Sequence, residues 1–352
     1  MENAAPKVTV IVPFFNQPEL LPKCIESIAN STYKNVEIIA VDDGSTDDSW
    51  EKISQQKVIG ISTLKNIGPA AARNLGAKLA TGEILMFFDS DVSVCTDSIE
   101  RAANMLNEDP ELSAVFGAYA IEPLYKNFFT VYKNLAHHFT HYISRKRVHT
   151  FWAGCGAIKK DVFTKLGGFD EGYQAPCVED IELGYRLTEN GYKVKLEPSI
   201  QVAHGKKYNL KTLITSDIKF RAIPWAKLLA IKNVFYADLN LRMTNIISGI
   251  ILGLLIPICI LAAWPLQELL LPFAIGLSII YLLLNVRIFS FVLKQKGLVF
   301  LLKFIPMYTL TYFYSIAGFA MGAMPEVGRR LKKIFNRLFK RSQKNCDRTN
   351  PN

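Results

Sequence analysis

Over roughly its first 205 residues the chain alternates short apolar runs with amphipathic stretches; beyond that point it turns to apolar segments of about 20 residues. Residues 7–13 (KVTVIVP) are rich in β-branched side chains and close on Pro13, which predicts a buried first strand. Residues 20–31 have the spacing of an amphipathic helix. Further strands are predicted at 36–41 (VEIIAV), at 58–62 (weaker), at 83–88, at 112–121 and at 193–202, the last ending at His204-Gly205. Small residues at 66–77 open one helix, and the run from Val178 to Leu187 opens another. Strand and helix in alternation predict an α/β domain with a mostly parallel central sheet, whose ligand sits at the carboxyl ends of the strands.

The second half has a different rhythm. Residues 205–242 interleave Lys206, Lys207, Lys211, Lys219, Arg221, Lys227, Lys232 and Arg242 with Leu, Ile, Phe and Trp225, which predicts helices lying in a membrane interface. Residues 246–264 and 269–288 are each about long enough to span a bilayer. The turn Pro265-Leu266-Gln267-Glu268 holds no Lys or Arg, while Lys294 and Lys296 follow the second segment, so a hairpin with its turn outside is expected. Arg287 can snorkel. Residues 298–324 form a third hydrophobic element containing Lys303 and Pro306. A third full crossing would put the tail 326–352 outside, yet that tail is basic (Arg329, Arg330, Lys332, Lys333, Arg337, Lys340, Arg341) and should stay inside, so the ends of this element are left open. The expected division is a catalytic domain at 1–205, interfacial helices at 206–242, a membrane region at 243–325 and a basic cytosolic tail.

Charge sharpens this division. The net charge of +10 splits into −6 over residues 1–203 and +16 over 204–352. Because the basic residues flank apolar segments, anionic lipid rather than nucleic acid is the expected partner. The six cysteines include no CxxC pair, so reduced thiols are expected. Met1 to Pro6 lack the charged and apolar regions of a signal peptide.

The chemistry gathers where strands end. The run Phe87-Phe88-Asp89-Ser90-Asp91 brings two carboxylates to the end of a buried strand, where they repel one another unless a positive partner is near. A divalent cation with a diphosphate supplies that charge, and oxygen donors suit Mg2+ or Mn2+. A solvated Asp-Ser-Asp turn is the alternative. Asp42-Asp43-Gly44 ends the second strand in the same way. The helix opened by Gly68-Pro69 can meet phosphates with its first-turn N–H groups. Trp152 beside Gly154 would let a sugar ring approach the backbone. Glu179 and Asp180 fall in a first helical turn, with Arg186 turned to the site or to solvent. His137 and His141, at i,i+4, are expected on a surface or partner-facing helix rather than in a zinc site.

Taken together, VIVPFFN, VDDGSTDDS, NIGPAAARNLGA, FFDSDV, GGFDEGY and EDIELGYRL, in order over about residues 7–205, resemble a family 2 glycosyltransferase of the membrane-anchored type, with the inverting GT-A fold. The resemblance implies a transferase using a nucleotide-diphospho-sugar and a divalent metal, with inversion at the anomeric carbon. It implies that Asp43 binds the nucleobase beside Pro13, and that Arg73 and Asn74 lie near the nucleotide. Asp91 would be the direct metal ligand, with Asp89 on the ribose or reaching the metal through water. Asp180 would be the general base, with Glu179, Trp152, Gly154 and Arg186 around the acceptor. His204 matches a late metal-binding histidine of some such enzymes, or is a satisfied strand-end histidine. Lys219 to Trp225 has the wrong spacing for the QxxRW motif of processive synthases, so processivity is not inferred. The expected acceptor is a hydroxyl on a lipid-linked or membrane-associated glycan, and the expected location a multi-pass protein of the cell membrane with its catalytic domain cytosolic. A polyprenyl-phosphate glycosyltransferase and an inactive scaffold of a membrane assembly are the alternatives.

Overall fold

A computed structural model describes residues 5–54, 56–262 and 267–349. The predicted strands form. β1 (Val8–Phe14) is buried along its whole length and pairs in parallel with β2 (Val36–Asp42) and β4 (Ile84–Phe88), while β3 (Ile59–Ser62) adds in parallel to β2. Val8, Val10, Val12 and Phe14 face one core and Ile11 faces the other. A strand covered on both faces reads as an unbroken apolar run, which is why the sequence shows it so plainly. Below the first face lie α1 (Leu21–Ala29) and α4 (Ser98–Glu108); α2 (Ser49–Ile53) follows β2, and α3 (Pro69–Leu79) covers the second face with Ala70, Ala72 and Ala77.

The sheet is parallel through β3, β2, β1 and β4 and mixed beyond them. Its order is β3-β2-β1-β4-β8-β6-β9-β5, with β5 (Val92–Val94), β6 (Leu112–Tyr119), β7 (Arg147–Val148), β8 (Cys155–Lys159) and β9 (Lys193–His204). β8 enters antiparallel between β4 and β6, β6 runs parallel to β9, and β5 and β7 pair antiparallel with β9. The pairing of β5 with β9 sets Val92 opposite His204, one residue beyond Asp91. α6 (Lys160–Lys165) follows β8, and α7 (Glu179–Glu189) precedes β9.

α5 (Phe128–Ile143) corrects an expectation. It is not a surface helix: Val131, Tyr132, Leu135 and Phe139 are buried, and His138 and His141 are bound through Nδ1 to the carbonyl oxygens of Tyr119 (2.6 Å) and Gly117 (2.9 Å). Its polar residues read as a solvent face because their partners are backbone groups of a distant strand, which local periodicity cannot reveal.

After β9 the chain forms α8 (Leu210–Asp217), a π-helical turn (Ile218–Ala222) and α9 (Ile223–Lys232). Among the described residues two helices are long and apolar enough to cross a membrane: α10 (Met243–Ala262) and α11 (Gln267–Leu284), with mean hydropathies of 2.3 and 1.9. The expected turn residues Pro265 and Leu266 and the end of the first segment at Trp264 lie outside the described residues. α12 (Val286–Thr349) is broken at Gly297 (φ 78°) and contains the third hydrophobic element.

That element is docked on α5 and on the helices that follow β9. Phe304, Met307, Thr311, Tyr314, Gly318 and Gly322 recur every three or four residues and form its covered stripe. Tyr132 and Thr311 share a hydroxyl hydrogen bond of 2.5 Å, and the Tyr314 hydroxyl donates to Asp217 Oδ2 at 2.8 Å. Farther along, Arg330 Nη1 donates to Asn233 Oδ1 at 2.7 Å, so α12 runs the length of α9. A Cβ at Gly318 would lie 2.9 Å from the Ala222 Cβ, and one at Gly322 would collide with the Ile223 carbonyl oxygen. Gly322→Leu should therefore pry α12 from α9. The expected result is a loss of about 1–3 kcal/mol, as for other overpacked sites, read as a lower unfolding temperature in detergent and faster proteolysis between residues 205 and 242. An unchanged protein would show that the contact contributes nothing.

Candidate active site

The carboxyl ends of β1, β2 and β4, the start of α7 and the end of β9 open onto one cavity of about 530 Å³. Pro13 and Asp43 line it, as do Asp89, Asp91, Trp152, Gly154, Glu179, Asp180 and His204. Most of the residues singled out from the sequence are thus brought together.

Asp43 is buried, and its two oxygens accept the N–H groups of Ile67 (2.6 Å) and Gly68 (3.0 Å). Burial pushes its carboxyl up, against the pull of those two donors. Asp43 therefore fixes the turn that enters α3 while its flank faces the cavity. Its neighbour Asp42 accepts from Ser45 N–H (2.8 Å) and the Ser62 hydroxyl (2.9 Å), and is a turn residue.

Arg73 is the hub of the acids. It is only 5% exposed, and it donates through Nη2 to Asp89 Oδ1 (2.7 Å) and through Nη1 to Glu179 Oε1 (2.8 Å). Burial alone would lower its pKa, but the two carboxylates outweigh that and hold it charged. Arg73 Nε is buried and has no partner among the described residues. Glu179 also accepts the Cys177 N–H at 2.9 Å. The first acid of the Asp-Ser-Asp run and the first acid of α7 are thus both paired with one guanidinium. Asp91 and Asp180 are not.

Asp91 is pushed up to about 7 by burial and by the charge of Asp89. Its Oδ2 lies 3.6 Å from His204 Nε2. His204 stacks on Tyr119 with ring centroids 4.4 Å apart. Burial, and then the charges of Arg221 and Lys206, pull it down to about 3, so it is neutral. A half-buried carboxylate beside a neutral imidazole is a donor pair for a divalent cation, whose charge would offset the penalty on Asp91. Among the described residues no group of three or more His, Cys, Asp or Glu converges on one point. The pair therefore fits an ion that takes its other donors from substrate phosphates and water, the common pattern for Mg2+.

Asp180 stands at the start of α7. Its oxygens accept the N–H groups of Ala153 (3.1 Å) and Ile181 (2.8 Å), which fixes it against the Trp152–Gly154 segment. Burial and the adjacent Glu179 charge push its carboxyl up to about 7. A carboxyl poised near neutrality at a cavity wall can take a proton from a bound hydroxyl.

Three expected site residues have other tasks. Asn74 does not line the cavity: its Nδ2 donates to the Phe169 carbonyl (2.9 Å) and Glu171 Oε1 (3.0 Å), and its Oδ1 accepts the Phe169 N–H (2.9 Å), which holds the loop before α7. Arg186 is turned away from the cavity. It donates to Glu182 (2.8 Å) and to the carbonyl oxygens of Leu166 and Gly168 (2.7 Å each), stapling α7 to the turn after α6. Gly154 does line the cavity, but its missing Cβ makes room for the Trp152 indole, which such an atom would approach at 2.7 Å.

Sequence reasoning passed over another part of the wall. Tyr119, His137 and His141 join Trp152 and His204 in a ring cluster, with His137–His141 centroids at 4.1 Å and His137–Trp152 centroids at 5.2 Å. His137 Nδ1 is buried with no partner among the described residues. The segment after β9 adds Lys206, Tyr208, Arg221 and Trp225. The Trp225 indole N–H donates to the Tyr185 hydroxyl at 2.8 Å. The signal was the i,i+4 spacing of His137 with His141 and of Arg221 with Trp225, which marks a shared face but not what that face meets.

Residues 9–167 match the profile of glycosyl transferase family 2, and residues 133–210 match that of the N-terminal domain of galactosyltransferase. An uncharacterized glycosyltransferase of Haemophilus influenzae is 38% identical over 120 residues, which are 33% of this chain and 48% of that protein. The Escherichia coli UDP-Glc:alpha-D-GlcNAc-diphosphoundecaprenol beta-1,3-glucosyltransferase WfaP is 36% identical over 124 residues, 34% of this chain and 48% of that one. The chain spans about half the length of these curated relatives. Among solved structures, the mannosyltransferase PcManGT from Pyrobaculum calidifontis, in complex with GDP-Man and Mn2+, superposes with a TM-score of 0.54. It is 18% identical, and the match covers 90% of this chain and 87% of that one. The likeness extends to the fold.

Proposed function

Since the chain belongs, through residues 9–167, to glycosyl transferase family 2, we propose that it moves a sugar from a nucleotide-diphospho-sugar to a hydroxyl on a lipid-linked or membrane-associated glycan, with inversion. The observation that supports this reading is one cavity holding two carboxylates of raised pKa with different neighbours. Asp91 lies beside His204, and Asp180 lies beside Trp152 and Ala153. In the proposed step the acceptor oxygen bonds to the anomeric carbon as the bond from that carbon to the diphosphate breaks. Asp180 receives the hydroxyl proton, and the nucleoside diphosphate leaves. Mg2+ or Mn2+, when bound by Asp91 and His204, supplies positive charge to the leaving diphosphate. Pro13 and Asp43 hold the nucleobase. Arg73 holds Asp89 aligned where it can reach the ribose. Trp152 offers an apolar wall to the acceptor sugar.

A base of this kind favours a hydroxyl over an ionised phosphate as nucleophile, and so favours this reading over a polyprenyl-phosphate glycosyltransferase. The lipid-linked acceptor is supported by the name of the E. coli relative and by the docking of α12 beside the cavity. We place the catalytic part at 1–205, interfacial helices at 206–242 and the anchor beyond. The catalytic part faces the cytosol of a multi-pass cell-membrane protein, in keeping with the basic residues that follow α11.

The test is turnover of a nucleotide-sugar panel by detergent-purified protein, with transfer to an extracted lipid fraction compared with transfer to soluble oligosaccharides. Efficient transfer to soluble acceptors alone would sink the lipid reading. Asp91→Ala should lower metal-dependent turnover by about 100-fold or more, since the ion's charge stabilisation is worth several kcal/mol. It should also abolish Mn2+ binding measured by calorimetry. Full activity of this variant in EDTA would overturn the metal assignment.

A further inference from the structure

The cavity wall holds an acceptor atom with nothing to accept. β8 pairs with β6 only as far as Phe116. Beyond that point β6 is met by α5, whose His138 and His141 donate through Nδ1 to the carbonyl oxygens of Tyr119 and Gly117. A carbonyl oxygen only accepts, so Nδ1 of His141 carries the ring's proton. Burial pulls this imidazole down to about 4, so it is neutral and its Nε2 offers a lone pair. His141 is 3% exposed and lines the cavity, and its Nε2 has no hydrogen-bond partner among the described residues. The ring is held in place: His137 packs against it with centroids 4.1 Å apart, and Trp152 meets it at 5.5 Å and 86°. A buried acceptor left without a donor is costly, and a ligand hydroxyl removes that cost.

The position of this atom says which ligand would reach it. A row of rings runs from His204 through Tyr119, His137 and His141 to Trp152, with successive centroids 4.4, 4.3, 4.1 and 5.5 Å apart. One end lies at Asp91, 3.6 Å from His204, and the other at Asp180, which accepts the Ala153 N–H next to Trp152. On the function proposed above, the diphosphate sits at the first end and the base at the second, so the transferred sugar lies between them, along the row. We propose that His141 accepts, through Nε2, a hydrogen bond from one hydroxyl of the transferred sugar, and so selects donors that carry a hydroxyl at that ring position. The inference rests on that function. An aromatic wall with one fixed polar atom suits a sugar ring, which has apolar C–H faces and hydroxyls at its edge. A sugar lacking the hydroxyl leaves the nitrogen unpaired and is rejected. The acceptor sugar carries the same chemistry, and the experiment separates the two sources.

The experiment uses the full chain in detergent with Mn2+ and compares wild type with His141→Asn and His141→Gln. In His141→Asn the amide N–H replaces Nδ1 at the Gly117 carbonyl, and nothing replaces Nε2. In His141→Gln the longer amide puts an oxygen where Nε2 was, and the tie to Gly117 is lost. The probes are UDP, GDP, the nucleotide-sugar of a panel that wild type binds most tightly, and the monodeoxy forms of that sugar. Wild type should lose about 10- to 100-fold in affinity and in kcat/KM on one of the deoxy forms. His141→Asn should lose about as much on the parent and nothing further on that deoxy form, while His141→Gln keeps most of the discrimination. The nucleotide alone should bind wild type and both variants within about twofold, which also shows that the variants are folded. The proposal is overturned if wild type binds every deoxy form as it binds the parent. It is overturned as well if His141→Asn discriminates as wild type does, which leaves the residue a purely structural tie, or if only deoxy forms of the acceptor sugar respond to the substitution. A wild-type protein that binds no nucleotide-sugar overturns both this proposal and the function it rests on. Should wild type bind with the expected pattern while transferring no sugar, the function proposed above fails and the hydroxyl subsite stands.

Discussion

Asp180→Asn is expected to remove transfer while nucleotide-sugar binding persists. The Asp180 carboxylate accepts two backbone N–H groups and touches neither Arg73 nor Asp91, so its exchange for a neutral amide leaves those groups in place. The loss in kcat should be about 10²- to 10⁴-fold, the usual contribution of a positioned general base. The pH dependence follows from the same residue. The base must be unprotonated, and its carboxyl is raised to about 7, so kcat/KM should fall as pH drops through that value and level off above it. Asp91 shares that range without metal, but a bound cation pulls its titration lower. At saturating Mn2+ the limb therefore reports Asp180. A product with retained anomeric configuration, or a variant with wild-type kcat, would refute the mechanism.

Arg73→Leu should affect the fold rather than the chemistry alone. Arg73 offsets Glu179, whose side chain is 5% exposed, and Asp89 at 36%. Removing one partner of a buried pair leaves an uncompensated charge and costs about 3–5 kcal/mol, a large share of the stability of an ordinary domain. The expected result is a much lower unfolding temperature, or no soluble protein at neutral pH. Adding Glu179→Leu should recover most of the loss, because the buried charge is then gone and the volume is refilled with apolar atoms. If Arg73→Leu unfolds at the wild-type temperature, the hub carries no stability.

Much of this was legible in the sequence because it is local. A strand buried on both faces is an apolar run, and Asp91 and Asp180 follow or open elements whose ends are marked by composition. The rest depended on contacts across the sheet. Arg186 and Asp180 lie on the same helix, yet one meets the carbonyl oxygens of Leu166 and Gly168 and the other meets the cavity. Asn74 sits beside Arg73 in sequence but binds residues more than 90 positions away. The α5 histidines follow the spacing of a solvent face, and only the carbonyl groups of β6 reveal that they are inside. Antiparallel entry of β8 likewise leaves no local trace, since a five-residue apolar strand reads the same in either direction.

The clamp of α12 over α9 bears on how such chains can be recombined. Composition invites a seam near residue 242, with a catalytic module on one side and an exchangeable anchor on the other. The covered stripe from Phe304 to Gly322 and the bond from Arg330 to Asn233 cross that seam. A chimera joined there would set one parent's glycines against another parent's helix, and an excised catalytic module would expose the face that α12 covers. Workable crossovers should instead keep the interfacial helices and α12 from the same ancestor, so that the two halves are inherited as one block although they read as two.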